Sequence, residues 1–291
     1  MFWPINEVEL MQGLNYKILI CAFLILVGLN VFVWWAIGFG SRYPEWDFLN
    51  VGQGDASLLK FPNSGKILLD AGPDQSILDA LGRSQSFFDR NLDVLILSHA
   101  NLDHYAGLFY VLEHYQPRLF VYNGLPSPSA TFQNLLEILK MKQIPIIEIS
   151  AGDKIKIGNN QLTVISPNGQ APKSSDININ SLIIKGQINN FEILLLGDAE
   201  ANSIAQLTND LKSDIVKISH HGSKNGTSER LLNLIAPEIA LIGVGKENRF
   251  GHPAPTVIDL LKKSGTNVFR TDEDGNIKIV FEPELKLIRN Y

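Results

Sequence analysis

An uninterrupted apolar run at residues 18–39 constrains the architecture of this chain more than any other feature. The run contains one polar side chain, Asn30, and no charged residue. At a rise of about 1.5 Å per residue, it is long enough to cross a hydrocarbon core of roughly 30 Å. A buried core helix is the alternative, but such a helix normally keeps a polar face. The run therefore predicts a membrane-spanning helix.

The run also divides the chain into segments. We predict an N-terminal tail at 1–16, a transmembrane anchor at 17–40 and a folded domain at 41–291. No small-residue cleavage site follows the run, so an uncleaved anchor is favoured over a removed signal peptide. The flanking charges, Lys17 and Arg42, do not decide the orientation. We expect a single-pass protein of the cell membrane whose large domain lies outside the cytoplasm.

Composition limits the functions that suit the large domain. Apolar residues make up 45% of the 291 residues, which is enough to bury a sizeable core. The formal net charge is -5, so no global positive field attracts nucleic acid, and any such role must depend on local basic residues. Cys21 is the single cysteine, which excludes an internal disulfide and a cysteine-based metal cluster.

The hydrophobic pattern of the large domain predicts one α/β unit. Apolar residues share one helical face at 131–142, and helices alternate with strands between 200 and 268. Such an order indicates sheets packed on one another with helices outside. Strands are predicted at 48–51, 57–61, 67–69, 93–97, 162–165, 182–185, 191–196 and 277–281.

Residues 98–104, Ser-His-Ala-Asn-Leu-Asp-His, give the strongest local indication of chemistry. They directly follow the predicted strand at 93–97. Imidazole and carboxylate groups are ligands of Zn²⁺ and Mn²⁺, and a loop lets near neighbours converge on one point. Taken alone, the segment is also compatible with an ordinary solvated loop.

Further histidines and an aspartate follow other predicted strands. Asp198 comes directly after an apolar strand, and His220 and His221 end a strand that begins near Asp214. Because active sites in open α/β sheets gather at the carboxyl ends of strands, these groups can meet in space. His114, by contrast, lies in a predicted helix and is interpreted as a surface or core residue.

Six short motifs, taken in order, resemble those of one known family. Each motif is weak alone, but six in the same order form a strong pattern. The segment at 46–281 is similar to the metallo-β-lactamase-type domain at the C-terminus of ComEC-type competence proteins. The motifs are VGQGDA (51–56), LDAG (69–72), HANLDH (99–104), LGDAE (196–200), HHGSK (220–224) and GHP (251–253).

This resemblance implies an αββα sandwich with a metal site between its sheets. Members of the superfamily typically hold one or two Zn²⁺ or Mn²⁺ ions, which activate a water molecule. In ComEC-type proteins the domain is thought to degrade the DNA strand that is not taken up. The large domain is therefore expected to be a metal-dependent hydrolase.

The resemblance also implies roles for individual residues. Asp198 would bridge two ions, and either Asp103 or Asp198 would accept a proton from the attacking water. The alternatives are a loop-capping role for Asp103 and a helix-capping role for Asp198. The first ion would also be bound by Asp103, His104 and either His220 or His221. The second ion would also be bound by His99.

Two departures from the family pattern predict that the second metal site is the poorer one. Asn101 stands where the family has His or Asp, and an amide oxygen brings no charge to the site. No histidine lies between His114 and His220 to complete that site, and Asn180 and Ser181 occupy about its place. We therefore expect one metal site with a full set of ligands and a second metal site with an incomplete set.

The two adjacent histidines raise a geometric question. Neighbouring residues on a strand point to opposite faces, so His220 and His221 cannot both reach one metal unless the strand has already broken. Gly222 directly after them favours a sharp turn. We expect one of the two to bind metal and the other to orient substrate or donate a proton.

Several other residues are candidates for the surroundings of the metal. Asp70 would orient a ligand histidine, or it would simply form the turn that follows. Gln53 and Asp55 lie in a glycine-bounded loop that either approaches the site or only closes a hairpin. Ser223 and Lys224 would hold a phosphate, with Lys246 and Arg249 as charges at the rim. His252 would contact a phosphate or a metal, or it is simply a structural residue of its loop.

The sequence thus predicts metal-assisted hydrolysis of a phosphodiester bond, with DNA as the substrate. One rival function is an envelope enzyme acting on a small phosphoester such as a phosphocholine substituent. A second rival is a binding module without turnover, suggested by Asn101. ComEC-type proteins also carry a polytopic channel domain, whereas one span is predicted here, so a role in DNA uptake would need a separate channel protein.

Overall fold

The computed structural model describes residues 7–38, 41–86, 88–125, 127–168, 176–207 and 210–289. They form two compact units, one ending at Arg42 and the other beginning at Tyr43. The first unit contains helix α1, Glu7–Gly38. Its window Tyr16–Val33 has a mean hydropathy of 2.3 and exposed side chains, which makes it a candidate membrane span. The helix begins before the anchor predicted at 17–40, whose last two residues lie outside the described part of the chain.

The second unit is a mixed α/β structure. Its helices are α2 (Ser76–Ser84), α3 (Leu102–Tyr105), α4 (Leu108–His114), α5 (Ala130–Met141), α6 (Ala201–Ile204), α7 (Glu229–Ile235), α8 (Pro255–Lys263) and α9 (Thr271–Asp274). Its strands are β1 (Glu45–Phe48), β2 (Ala56–Phe61), β3 (Gly65–Ala71), β4 (Asn91–Leu92), β5 (Val94–Ile96), β6 (Gln116–Pro117), β7 (Phe120–Tyr122), β8 (Ile146–Glu148), β9 (Lys154–Ile157), β10 (Asn160–Ser166), β11 (Ile183–Ile188), β12 (Phe191–Leu195), β13 (Ile215–Lys217), β14 (Ile239–Ile242), β15 (Asn267–Arg270), β16 (Ile277–Phe281) and β17 (Leu285–Arg289).

Two large sheets account for most of these strands. The first sheet has the order β17-β16-β1-β2-β3-β5-β7-β8, and the second has the order β15-β14-β13-β12-β11-β10-β9. In each sheet one half is antiparallel and the other half is parallel. The parallel halves are β3-β5-β7-β8 and β12-β13-β14-β15.

Alternating side chains give each sheet two apolar faces, and this produces three separate cores. On β2, Leu58 packs towards the helices, while its neighbour Leu59 packs towards the second sheet. The central core joins strands of both sheets, whereas the outer cores join one sheet to α2, α4 and α5 and the other to α6, α7 and α8. The layers are therefore helix, sheet, sheet, helix, and the predicted αββα sandwich is confirmed.

Among the predicted strand boundaries that differ from the structure, two lie next to the candidate site. The strand placed at 48–51 is found at Glu45–Phe48, where it pairs with β16 and β2 on its two sides. Leu49 and Val51 are buried but belong to the following turn. Their apolar side chains gave the sequence pattern of a strand at residues that form none. The strand expected to reach His221 ends at Lys217, because the two histidines that follow have positive φ angles.

Candidate metal centre

The segment after β5 is held in place by the carboxylate of Asp70, at the end of β3. Oδ1 of Asp70 accepts the backbone N–H of Ser98 at 2.8 Å, and Oδ2 accepts the Ser98 hydroxyl at 2.7 Å. The same Oδ2 lies 2.8 Å from Nδ1 of His104. A carboxylate in this position fixes the ring of His104 so that its Nε2 faces the space between the sheets.

Asn101 begins the short helix α3 in the same segment. Its backbone is extended, and its side-chain oxygen accepts the N–H of Leu102 at 3.0 Å. This is the usual role of an N-cap side chain. Asn101 lies beside the predicted metal ligands, and its amide oxygen already accepts this capping hydrogen bond.

One carboxylate oxygen forms the centre of the site. Oδ2 of Asp198 lies 3.4 Å from Nε2 of His104 and 3.7 Å from Nε2 of His221. It also lies 3.8 Å from Nε2 of His99 and 3.9 Å from Nε2 of His220. Four imidazole nitrogens from two distant segments therefore surround Asp198, which itself follows β12.

The spacing and the unpaired atoms of this group fit a shared cation. Within the described residues, both carboxylate oxygens of Asp198 and Nε2 of His99 and His104 are buried without a hydrogen-bond partner. Such orphaned groups are costly unless something else binds them. Ligands about 2.1 Å from a tetrahedral metal lie roughly 3.4 Å from one another, close to the separations observed here. Donor atoms within 4.8 Å of one another come from Asp55, His104, Asp198 and His221.

The turn after β13 explains how both adjacent histidines reach this centre. His220 has φ 50° and His221 has φ 54°, so the chain has left the extended conformation at both residues. Nδ1 of His221 lies 2.8 Å from the carbonyl oxygen of Gly243, which can only accept, so this nitrogen carries the proton. Its Nε2, which faces Asp103 and Asp198, is therefore the nitrogen that could bind a cation. His220 is more open, with its side chain 32% exposed.

Asp103 lies at the edge of the centre. Its Oδ2 is 3.2 Å from Nε2 of His221, and its side chain is 28% exposed. Asp103 therefore lies on the open side of the group, whereas Asp55 and Asp198 are deeply buried. The structure thus brings Asp103 and His104 together with Asp198 and His221, and it adds Asp55 to them.

A buried lysine that the sequence reasoning did not single out completes the centre. Lys217 is the last residue of β13, and its ammonium group contacts Asp55 Oδ2 and donates to the carbonyl oxygen of Gly197 at 2.9 Å. It also lies 3.6 Å from Oδ1 of Asp198. The available signal was a lysine within a strand whose other residues are apolar, since lysine is almost never buried unpaired.

Electrostatics keep the carboxylates of the centre ionised. Burial opposes the charged form of Asp198, but the charges of His104 and His221 hold the pKa of Asp198 well below its usual range. Burial also opposes ionisation of Asp103, but its hydrogen bond with His221 and the charge of His104 lower the pKa of Asp103 to about 2. Both groups are therefore anionic at neutral pH.

The histidines divide into two kinds. Burial lowers the pKa of His99 to about 3, and the charge of His104 adds to this effect. Burial also works against protonation of His104 and His221, but Asp198 raises the pKa of both, to about 10 for His221 and well above the usual value for His104. Without a metal ion, protons on these two rings balance the buried carboxylates.

The remaining predicted site residues surround the centre at different depths. Ser181 is buried, and its hydroxyl accepts the backbone N–H of Asp198 at 3.1 Å. The carbonyl oxygen of Asn180 accepts the side chain of Asn123 at 2.8 Å. Oε1 of Gln53 accepts the N–H of Gly245 at 3.1 Å, which ties the turn after β1 to the loop after β14.

The last three candidates lie on the other side. Ser223 is buried, with its hydroxyl accepting the N–H of Asn225 at 3.2 Å, whereas Lys224 is exposed. The ring centroid of His252 lies 5.9 Å from that of His220. His252 therefore belongs to the wall of the site and Ser223 to its support.

A cleft of about 690 Å³ opens onto this candidate metal centre. Asp103, His220 and His221 lie at its floor. Its walls come from the turn after β1, the start of the segment after β5 and the loop between β14 and α8. Its other lining residues are Val51, Gly52, Gln53, Pro73, Asp74, Asn101, Leu102, Glu247, Asn248, Arg249, Phe250 and His252.

Two packed sheets with helices on their outer sides have the architecture of the metallo-β-lactamase fold. The family model for the metallo-beta-lactamase superfamily matches residues 49–147. The crystal structure of the metallo-beta-lactamase fold protein YhfI from Bacillus subtilis is similar, with a TM-score of 0.52 and 12% identity, over 78% of this chain and 96% of that one. At this identity the similarity shows the fold alone.

Proteins of similar sequence give a more specific comparison than the fold does. It is 30% identical over 259 residues to ComE operon protein 3 of Bacillus subtilis (strain 168), covering 82% of this chain and 33% of that protein. It is 29% identical over 249 residues to recombination protein 2 of Haemophilus influenzae, covering 82% of this chain and 29% of that protein. The chain thus spans about a third of the length of these relatives.

This chain contains a metallo-β-lactamase-fold domain resembling part of the ComEC-family competence proteins, and the resemblance predicted from the six motifs is confirmed.

Proposed function

We propose that the chain is a membrane-anchored, metal-dependent hydrolase of phosphodiester bonds and that a DNA strand is its substrate. The observation that carries this proposal is the convergence of four imidazole nitrogens on Oδ2 of Asp198, at distances of 3.4 to 3.9 Å. Orphaned buried donor atoms at such a point are best explained by a cation. The site lies at the floor of an open cleft, where a substrate can reach it.

His104, His221 and Asp198 would hold one divalent cation, with Asp103 beside it. His99, together with Asp198, would hold a second, weaker one. Histidine and carboxylate ligands without a thiolate suit Mn²⁺ or Zn²⁺. A cation bound there would lower the pKa of a bound water to around 7 and polarise a phosphoryl oxygen.

The residues of the chain have separable tasks in this reaction. Asp103 is ionised and partly exposed at the cleft floor, so it is placed to accept a proton from the attacking water. Asp70 and the carbonyl of Gly243 fix the rings of His104 and His221. His220, the more exposed histidine, is placed to contact the substrate or to donate a proton to the leaving oxygen.

The DNA substrate and the membrane location are supported by the relatives and by α1. One of the similar proteins, recombination protein 2 of Haemophilus influenzae, is named for recombination, a process that acts on DNA. The candidate span in α1 would anchor the hydrolase domain at the cell membrane, outside the cytoplasm.

A nuclease assay on the full chain in detergent tests this function. With Mn²⁺ present, Asp103→Ala is expected to lower the rate of DNA cleavage by about 10²- to 10⁴-fold, because a general base is lost. Asp198→Ala is expected to abolish both cleavage and metal binding. Asp259→Ala, which removes an exposed carboxylate on α8, serves as the matched control and should cleave normally.

Equal cleavage by all four proteins, or no dependence on added metal, would defeat the proposal. Zn²⁺ and Mg²⁺ are compared with Mn²⁺ in the same assay. A choline phosphoester is included as a second substrate. Turnover of that substrate without cleavage of DNA would keep the metal chemistry but replace the DNA substrate by a small phosphoester.

A further inference from the structure

One wall of the cleft carries an exposed aromatic ring stacked on a histidine. The side chain of Phe250 is 59% exposed, although it is large and apolar. Its ring lies nearly parallel to that of His252, at an interplanar angle of 17° and a centroid distance of 6.0 Å. The guanidinium carbon of Arg249 lies 5.5 Å from the centroid of the Phe250 ring. A planar cation and a planar ring thus already lie against Phe250.

This wall is continuous with the metal centre. The ring centroid of His252 lies 5.9 Å from that of His220, whose Nε2 lies 3.9 Å from Oδ2 of Asp198. A row of rings therefore leads from the exposed Phe250 down to the cleft floor. Leu102, which is 52% exposed, lines the same cleft from the segment after β5.

The chemistry of this wall fits a flat, conjugated ligand that carries an anion. Aromatic rings bind nucleobases by stacking, and a guanidinium binds phosphate oxygens in a bidentate manner. A flat ligand can replace the guanidinium over the Phe250 ring, which frees Arg249 to pair with a phosphate. An exposed phenylalanine beside a catalytic cleft would otherwise carry the cost of hydrating its ring.

The charged residues that line this cleft are of both signs. Its lining includes the carboxylates Asp74 and Glu247 as well as the cationic Arg249. A groove that binds nucleic acid mainly through its phosphates is usually basic, and its affinity falls steeply with salt. The lining therefore favours contacts to a base over contacts to the backbone.

We propose that Phe250 and His252 form a platform on which an unpaired nucleobase stacks next to the phosphodiester that is cleaved. Arg249 binds a phosphate of the same strand. This inference rests on the proposed function, because it assigns the substrate of that site. A paired base inside a duplex cannot reach such a platform, so single strands bind in preference to duplexes.

Binding is measured without metal, so that no step depends on hydrolysis. The full chain in detergent with a chelator is titrated into labelled oligothymidylate and into an abasic strand of the same length. Phe250→Ala is expected to weaken binding of oligothymidylate about tenfold and to leave binding of the abasic strand unchanged. Phe250→Trp, which keeps a stacking ring, should bind as the wild type does.

Two controls make the result specific. Met141→Ala removes another exposed apolar side chain, which does not line the cleft, and should change neither affinity. Arg249→Gln should weaken both strands alike, because both carry phosphates. Phe250 is largely exposed, so its truncation leaves the apolar cores intact.

The proposal is overturned if Phe250→Ala weakens both strands equally or neither of them. It is also overturned if the wild type binds the abasic strand or a blunt duplex as tightly as oligothymidylate. If the metal-loaded protein does not cleave DNA but binding without metal still depends on the bases, only the proposed hydrolysis is rejected.

Discussion

The three buried histidines of the centre share one pattern of hydrogen bonding. Nδ1 of His104 contacts Asp70, Nδ1 of His221 contacts the carbonyl of Gly243, and Nδ1 of His99 lies 3.0 Å from the hydroxyl of Ser98. In each case the protein engages one nitrogen and leaves Nε2 facing Asp198. Partners of this kind fix the orientation of metal-binding histidines. The pattern is therefore an argument for metal binding that does not depend on proximity alone.

Lys217 gives a prediction at the scale of the single residue. Lys217→Met removes the buried cation that contacts Asp55 and Asp198, which leaves two buried carboxylates without it. We expect the free energy of unfolding of the metal-free protein to fall by about 3–5 kcal/mol, the usual cost of breaking a buried ion pair. Urea denaturation of the full chain in detergent measures this.

Added Mn²⁺ should restore part of that loss, because a divalent cation would balance the charge of Asp198. Lys263→Met is the control, since its ion pair with Glu229 is exposed and should contribute no more than about 1 kcal/mol. Similar losses for the two variants would show that Lys217 carries no special electrostatic role.

At this scale the sequence predicted the residue types well and their partners less well. The loop at 98–104, Asp198 and the histidine pair could be predicted because each follows an apolar strand and carries ligand chemistry. Lys217 stands out in the sequence as a lysine in an apolar strand, but its partners could not be predicted because they are set by the tertiary fold. Asp55 was assigned to a turn near the site, and its burial against Lys217 depends on the same long-range contact.

At the scale of elements, the end of β13 decides the geometry of the centre. Lys217 closes the strand, and the next turn places His220 and His221 against Asp198. Gly222 follows with a φ of 79°, which favours glycine. A Cβ atom at this position would lie 2.6 Å from Cβ of Pro253, so the turn packs tightly on the loop that carries His252.

Gly222→Ala should therefore destabilise the protein through two effects. The positive φ costs roughly 1–2 kcal/mol for a residue with a Cβ atom, and the contact with Pro253 adds to this. Gly265→Ala is the matched control, because Gly265 has a φ of 78° but a Cβ atom added there would meet no other atom within 4 Å. Thermal unfolding should show a larger loss for Gly222→Ala, and equal losses would contradict the close packing.

The element pattern could be predicted where periodicity is strong. The helix predicted at 131–142 is found at Ala130–Met141, and the strand predicted at 277–281 is found at the same residues. The predicted strand boundaries were wrong where a turn is buried, as at Val51. Apolar side chains in a packed turn have the same sequence pattern as those of a strand. The four-residue helix α3 has no periodic pattern and depends on its Asn101 cap.

At the scale of the whole molecule, the sandwich brings distant segments to one point. Asp103 and His221 are 118 residues apart in sequence, and they come from the two different sheets. The parallel halves of both sheets present their carboxyl ends to the same cleft. The sequence indicated strand ends, but the meeting of two sheets at one edge is a property of the complete fold.

The proposed metal binding should also be coupled to protonation. The pKa of His221 is raised to about 10 and that of His104 is raised well above its usual value, so both rings are protonated at neutral pH without metal. A histidine must be neutral at the nitrogen that binds metal. Binding should therefore release up to about two protons, and metal affinity should fall as the pH is lowered.

Calorimetric titration of Mn²⁺ into the metal-free full chain, in two buffers of different ionisation enthalpy, tests the central claim most directly. We predict saturable binding accompanied by proton release in the wild type, and its loss in Asp198→Ala. Asp259→Ala should bind as the wild type does. Absence of Mn²⁺ and Zn²⁺ binding to the wild type, or unchanged binding by Asp198→Ala, would contradict a shared cation at this site.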